Sequence, residues 1–332
     1  MRRYPTLLLG FLLVALTACQ SERRENSRPN NSNLPGSSGG PLDVLVVCDA
    51  SLWKGPAGQA FQKYYRPAQH GIMQPEPRYD VRQIKPLDLS SLLKRSRQIF
   101  ILEVNPQGGT GINIDTNRWA QPQYVYKIQA SDAESMARLI KERQEGMRRI
   151  TRSLEVQVAQ KRLLKKLRQK PLQILQEHNL HLQIPVGFEP SVNEKNVAVL
   201  WKKTNRYDMG LLVYSRPLSE NLTLVGNEII PLRDSLTRRH VPGQYDGSYM
   251  KTELLVPPQI KATELIGQFA FETRGLWKVE GDIMGGSFIN YTIYDEAHQR
   301  LIFLDGFIYG PEVKKRNYLL ELEAILKTIK LD

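Results

Sequence analysis

Histidine and cysteine are scarce in this chain, five and two among 332 residues. Cys19 follows an apolar run, whereas Cys48 lies behind Val44-Leu45-Val46-Val47, so neither a disulfide framework nor a cysteine-rich zinc site is available. His178 and His181 stand three apart, but no third ligand follows at a metal-site spacing, which makes them a chance pair. No segment offers the about 20 consecutive apolar residues that a membrane-spanning helix needs. Ser248 is not in a Gly-x-Ser-x-Gly elbow, which argues against a serine hydrolase. The glycines of 107–111 precede Ile112-Asn113-Ile114-Asp115, a strand pattern, instead of the helix a phosphate loop requires. No cofactor motif is present.

What the chain does have begins at its first residues. Arg2 and Arg3 precede an apolar run over 7–16 that only Gly10 interrupts, the layout of a secretory signal. Leu16-Thr17-Ala18-Cys19 looks like the lipobox of bacterial lipoproteins, so we expect a signal peptide over 1–18, cleavage before Cys19 and lipid on that cysteine. Multiple acyl chains, at about 0.8 kcal/mol per buried CH₂, hold a protein firmly to a bilayer. Residues 19–41 then read as a lipidated disordered tether, in which Leu34 is the only aliphatic residue after Cys19, with a span of roughly 25 Å. Gln20 stands where an inner-membrane lipoprotein often has Asp, which favours the outer membrane. The net charge is +12, and losing Arg2 and Arg3 leaves +10. Such a surface suits anionic lipid or lipopolysaccharide phosphates, and the envelope address argues against nucleic acid.

Beyond the tether, the pattern predicts an α+β fold with antiparallel or mixed sheets backed by helices. An N-terminal α/β part over 42–178 has strands at 43–48, 79–84, 98–104 and 124–128 and a helix over 51–65. Its long basic helix runs from about 132 to 170, ends at Pro171 and is open to interruption at Gly146. Residues 131–170 hold twelve Lys or Arg against five Asp or Glu, a solvated face that also suits anionic headgroups. A short helix is expected at 172–178. The C-terminal strand-rich part over 179–332 has expected strands at 182–188, 197–202, 209–215, 252–256, 268–279, 288–294 and 301–309, with helices at 225–239 and 313–329. Cys48, in a buried strand, reads as an inert thiol.

Three stretches carry more polar, aromatic and glycine residues than a plain core needs: 233–239, 242–250 and 272–288. On Asp246-Gly247-Ser248-Tyr249-Met250, the runs 272–277 and 281–286, Asp305-Gly306-Phe307-Ile308-Tyr309 and Lys315-Arg316, the chain resembles the bacterial lipoproteins of domain of unknown function 4837, of Bacteroidetes-type bacteria. Val44 to Val47 and Ser51-Leu52-Trp53 extend the resemblance to the start, and Ser287 stands where that family pattern has proline. The resemblance implies an envelope lipoprotein without an assigned activity. The first expectation is therefore a non-catalytic lipoprotein, with a cleft edged by Arg233, Asp246, Tyr249, Glu272, Arg274, Trp277 and Asp282 that binds or scaffolds an envelope protein or glycan. Glu272 and Arg274, two apart on a strand, are expected to pair; Trp277 reads as a core aromatic or a sugar platform. A second expectation is a hydrolase of glycan or peptidoglycan, with Glu272 and Asp282 as its carboxylates. A third has the basic helix docking on anionic lipid.

Overall fold

The structure, a computed structural model, describes residues 33–218 and 226–331; the signal segment, Cys19 and most of the expected tether lie outside them. Residues 35–40 of that tether are hydrogen-bonded to the N-terminal part. Ser37 N–H donates to Gln121 O (3.0 Å), Ser38 N–H to Arg95 O (2.8 Å), and Arg97 donates to the carbonyls of Gly39 and Gly40. A segment with little apolar surface is thus ordered by its backbone groups.

The N-terminal sheet contains β1 (Asp43–Val47), β2 (Asp80–Ile84), β3 (Gln98–Val104), β4 (Gly111–Thr116) and β5 (Tyr124–Ala130), in the order β2-β1-β3-β5-β4. All neighbours are parallel except β4, which closes one edge antiparallel. One face carries Val44, Val46, Phe100 and Tyr126 beneath α2 (Pro56–Tyr65) and α3 (Ala133–Leu163); the other buries Leu45, Val47, Ile99 and Val125. The helix expected over 51–65 is broken into α1 (Ala50–Lys54) and α2, with Gly55 between them and Pro56 opening the second. Asp132 caps α3 by accepting from Ser135 N–H at 2.7 Å, a bond that with those from the Ser131 and Ser135 hydroxyls brings its carboxyl down to about 2. Gly146 does not interrupt this helix, which ends at Leu163 and not near 170. Arg168 N–H donates to Ile184 O and Val186 N–H to Lys166 O, so pairing with 184–186 draws the chain out of the helix. The same stretch is not the strand expected at 182–188.

The rest of the chain forms α4 (Gln173–Glu177), β6 (Leu180–His181), β7 (Glu189–Asn193), β8 (Val197–Lys203), β9 (Asp208–Pro217), α5 (Ile229–His240), β10 (Tyr249–Glu253), β11 (Gln259–Leu265), β12 (Gln268–Glu280), β13 (Gly285–Asp295), β14 (Arg300–Tyr309), α6 (Arg316–Leu326) and β15 (Lys330–Leu331). The large antiparallel sheet has the order β10-β12-β13-β14-β9-β8-β7, with β11 also on β12; β15 pairs with β6. Among the described residues the fold is α+β, about 29% helix and 38% strand. Alternation along the strands sends Ile289, Tyr291, Ile302 and Leu304 toward α6, and Trp277, Phe288, Phe303 and Phe307 into a second core with Ile229 and Leu236 of α5.

α6 joins the two sheets. Its Leu319, Leu322 and Ile325 pack on the large sheet, while Leu320 and Ala324 enter the N-terminal core. Glu76 caps the helix from the N-terminal part by accepting from Lys315 N–H (2.6 Å) and Arg316 N–H (3.2 Å). Gly71, at φ +78°, packs so closely on β12 that a Cβ there would lie 2.9 Å from Gly275 N.

Candidate functional site

The polar, aromatic stretches marked in the sequence meet at one end of the large sheet, on its α5 face. β10 pairs with β12 so that Thr252 lies opposite Trp277 and Tyr249 opposite Glu280. The turn before β10 is tied by Gly243 N–H to Ser248 O (2.9 Å) and by the Ser248 hydroxyl, which accepts from Tyr245 N–H (3.0 Å). Gly243 is required there because a Cβ would meet Ser248 Oγ at 2.3 Å. On β13, Gly286 lets the Trp277 ring lie over the backbone, since a Cβ would fall 2.0 Å from Ile308 O and 3.0 Å from the indole. These close approaches shape a cavity of about 210 Å³ walled by Trp201, Trp277, Tyr309, Met250 and Met284. Lys203 and Asp208 also line it. Trp277 is 2% exposed, and its Nε1–H is buried without an acceptor. Most buried indole N–H groups have one, so this donor is an exception. On the two adjoining loops Tyr245 and Ile283 stand exposed.

The seven residues expected to edge one cleft are not brought together. Glu272 and Arg274 project from the α6 face of β12, and Trp277 from the α5 face. Arg233, fully buried on α5, donates through Nε to Asp305 Oδ1 at 3.2 Å; its Nη2 lies 3.1 Å from Oδ2 outside hydrogen-bond geometry, so the contact is an ion pair with one true hydrogen bond. Burial raises the Asp305 carboxyl even though Arg233 opposes the shift. Tyr249 lies at the surface under the Arg238 guanidinium, 4.7 Å from the ring centroid, beside an open groove lined by Arg239 and Lys251. Asp246 is an exposed turn residue, and Asp282 accepts from Ile283 N–H in the β12–β13 turn.

The expected pairing of Glu272 with Arg274 is present, with Nε to Oε1 at 2.7 Å, inside a larger buried network. Tyr291 donates to Glu272 Oε2 (2.8 Å), Arg274 Nη2 donates to Glu323 Oε2 (2.8 Å), and Arg152 of α3 and Lys327 also bind Glu323. Burial alone would push both glutamates up, but Arg152, Lys327 and Arg274 hold Glu323 well below its usual value, and Arg274 lowers Glu272. Glu272 and Asp282 therefore do not form an acid–base pair. Eight residues of strand, about 26 Å, separate Glu272 from Glu280 alone, against the about 10 Å that a glycosidase carboxylate pair spans. Sequence reasoning missed Glu323, Arg152 and Trp201. Glu323 had a visible signal, a lone carboxylate on an apolar helix face; Trp201 had none. His178 bonds Asn196 Oδ1 (3.0 Å), and no metal-binding group of His, Cys, Asp or Glu occurs among the described residues. Cys48 is buried, its thiol pushed up to about 12 by burial and then by Asp49.

Residues 166–328 match the sequence profile of a family described as Domain of unknown function (DUF4837). The match spans the C-terminal part of the chain, from the segment after α3 through α6. The DUF4837 profile does not reach Val44 to Trp53, where the resemblance was also expected; residues 37–164 match a second family, Domain of unknown function (DUF8532). The two matches meet just beyond the end of α3. No curated protein matches in sequence. Among solved structures, the Ran-binding protein Mog1p of Saccharomyces cerevisiae aligns with TM-score 0.32 at 9% identity, over 46% of this chain and 89% of its own. A mutant form of Mog1 gives 0.30 at 10%, over 46% and 90%. A crystal structure from Bacteroides thetaiotaomicron VPI-5482 gives 0.28 at 6%, over 51% and 49%. At such scores the likeness decides nothing about function.

Proposed function

We propose that this is an envelope lipoprotein, held to the outer membrane through lipid on Cys19, whose DUF4837 domain binds an envelope partner without catalysing a reaction. The observation that carries the binding role is the aromatic cavity of Trp201, Trp277 and Tyr309, whose wall is completed by residues of 241–250 and 279–284 and by Lys203 and Asp208. An apolar group presented by a protein or glycan fits this aromatic-walled space. The carboxylates that a hydrolase would need are engaged in ion pairs or set apart along β12, which supports binding over catalysis. The lipid-docking role of α3 loses support because Arg152 and Arg162 of that helix are paired with Glu323 and Glu321.

Tyr245 and Ile283 lie outside the core, so a Tyr245→Asp, Ile283→Asp variant is expected to keep its stability within about 0.5 kcal/mol. Crosslinking pull-down from native envelopes should then recover at least about tenfold less partner than the parent does, the loss of a typical interface anchor. Equal recovery by the two proteins would remove the cavity from the account.

A further inference from the structure

The seam between α3, α6 and the segment before β2 carries more positive charge than the described residues balance. Glu323 Oε2 is shared by the guanidiniums of Arg152 and Arg274, and Glu323 Oε1 is taken by Lys327 at 3.0 Å. Arg274 is also held by Glu272, yet its Nη1 is buried with no acceptor. Arg148 lies one turn before Arg152 on the same face of α3, and Tyr79 O–H donates to the Arg148 carbonyl (3.2 Å); Arg78, next to Tyr79 in the chain, lies within the electrostatic reach of Arg148, Arg152 and Arg274. Arg148 donates to Gln144, and among the described residues neither Arg148 nor Arg78 has a carboxylate partner. Burial first, and then the like charges of Arg148, Arg274 and Arg152, lower the Arg78 guanidinium from its ordinary value. Five cations, Arg78, Arg148, Arg152, Arg274 and Lys327, thus face two carboxylates, Glu272 and Glu323. Partly buried charges of one sign need a counter-charge, and arginine forks match tetrahedral oxyanions.

We propose that this seam binds a small phosphate-type oxyanion, gripped by Arg78 and Arg148 over the Arg152–Glu323–Arg274 network. The site is independent of the aromatic cavity. A free phosphate compound and a phosphate-bearing lipid share this chemistry; the half-buried position in a seam between two sheets favours the free compound.

The test compares the purified protein with an Arg78→Gln, Arg148→Gln variant in thermal melts and calorimetry, using inorganic phosphate against sodium chloride at equal ionic strength. Phosphate should raise the parent's melting temperature above the chloride control, and the variant should bind phosphate at least about tenfold more weakly. Without phosphate the variant should melt at or above the parent, because substitution removes repulsion from an unpaired cluster. The proposal is overturned if phosphate acts no differently from chloride, or if the phosphate-free variant melts lower, which would make the arginines structural. Binding to phosphatidic acid vesicles without any response to free phosphate would also overturn it, in favour of a lipid surface.

Discussion

Glu323→Gln is expected to destabilise the protein by about 3–5 kcal/mol, the usual consequence of removing one partner from a buried ionic network. Glu323 is 1% exposed and is the acceptor for Arg152, Arg274 and Lys327 at once. Glutamine keeps the shape and loses the charge, so three cations remain beside a single carboxylate, Glu272. The damage falls where α3, α6 and β12 meet, so both sheets should melt together. Chemical denaturation checks this: the midpoint should fall with the slope unchanged. The same network sets an acid limit. Glu323 and Glu272 both titrate below the ordinary glutamate value of 4.5, and a depressed folded-state value gives stability that is present above pH 4.5 and lost as pH falls through the folded values. The parent should lose stability steeply below pH 4.5, and the Glu323→Gln protein, already without that contribution, should lose less over the same interval.

Arg233→Met should cost a similar amount, about 3–5 kcal/mol, for a different reason. Arg233 and Asp305 are both fully buried, and the guanidinium also donates to Thr252 Oγ1 (3.2 Å) and lies 3.8 Å from the Phe288 ring centroid. Methionine fills much of the volume but strands Asp305. Burial already raises the Asp305 carboxyl in spite of Arg233, so desolvation outweighs the attraction even in the intact pair. Removing both charges, as Arg233→Met with Asp305→Leu, should therefore return most of the lost stability. A double-mutant cycle measures this directly, and equal losses in the single and double variants would show that shape, not charge, is what Arg233 contributes.

Much of the architecture was legible from alternation and helical spacing. β12, β13 and β14 read clearly because Phe, Ile, Tyr and Leu recur along them, and α6 because Leu319, Leu322 and Leu326 share a face. β7 and β11 were missed. Glu-Pro-Ser-Val-Asn and Gln-Ile-Lys-Ala-Thr-Glu-Leu are polar, partly exposed strands whose places depend on partners distant in sequence. The overlong reading of α3 came from basic residues with good helix propensity, which tertiary pairing at 166–168 overrode.

The candidate site was half legible. The stretches 242–250 and 272–288 do build the aromatic cavity, but the expected cleft mixed two faces of one strand. Glu272 and Arg274 are even-numbered positions on β12 and Trp277 is odd, so strict alternation already set them on opposite sides. Arg233 looked like a cleft residue because a charge beside a polar run suggests solvent. Its partner was the less conspicuous Asp305, a lone carboxylate in the apolar run of β14.

The membrane address proposed for this protein rests on lipid on Cys19. Intact-mass analysis of the protein purified from native envelopes, with a Cys19→Ser form fractionated in parallel, tests that placement most directly. The account predicts a mature chain that begins at an acylated Cys19, and a substituted form that fails to be processed and anchored in the same way. A bare Cys19, or a Cys19→Ser protein that is processed and pellets with membranes as the parent does, would contradict it.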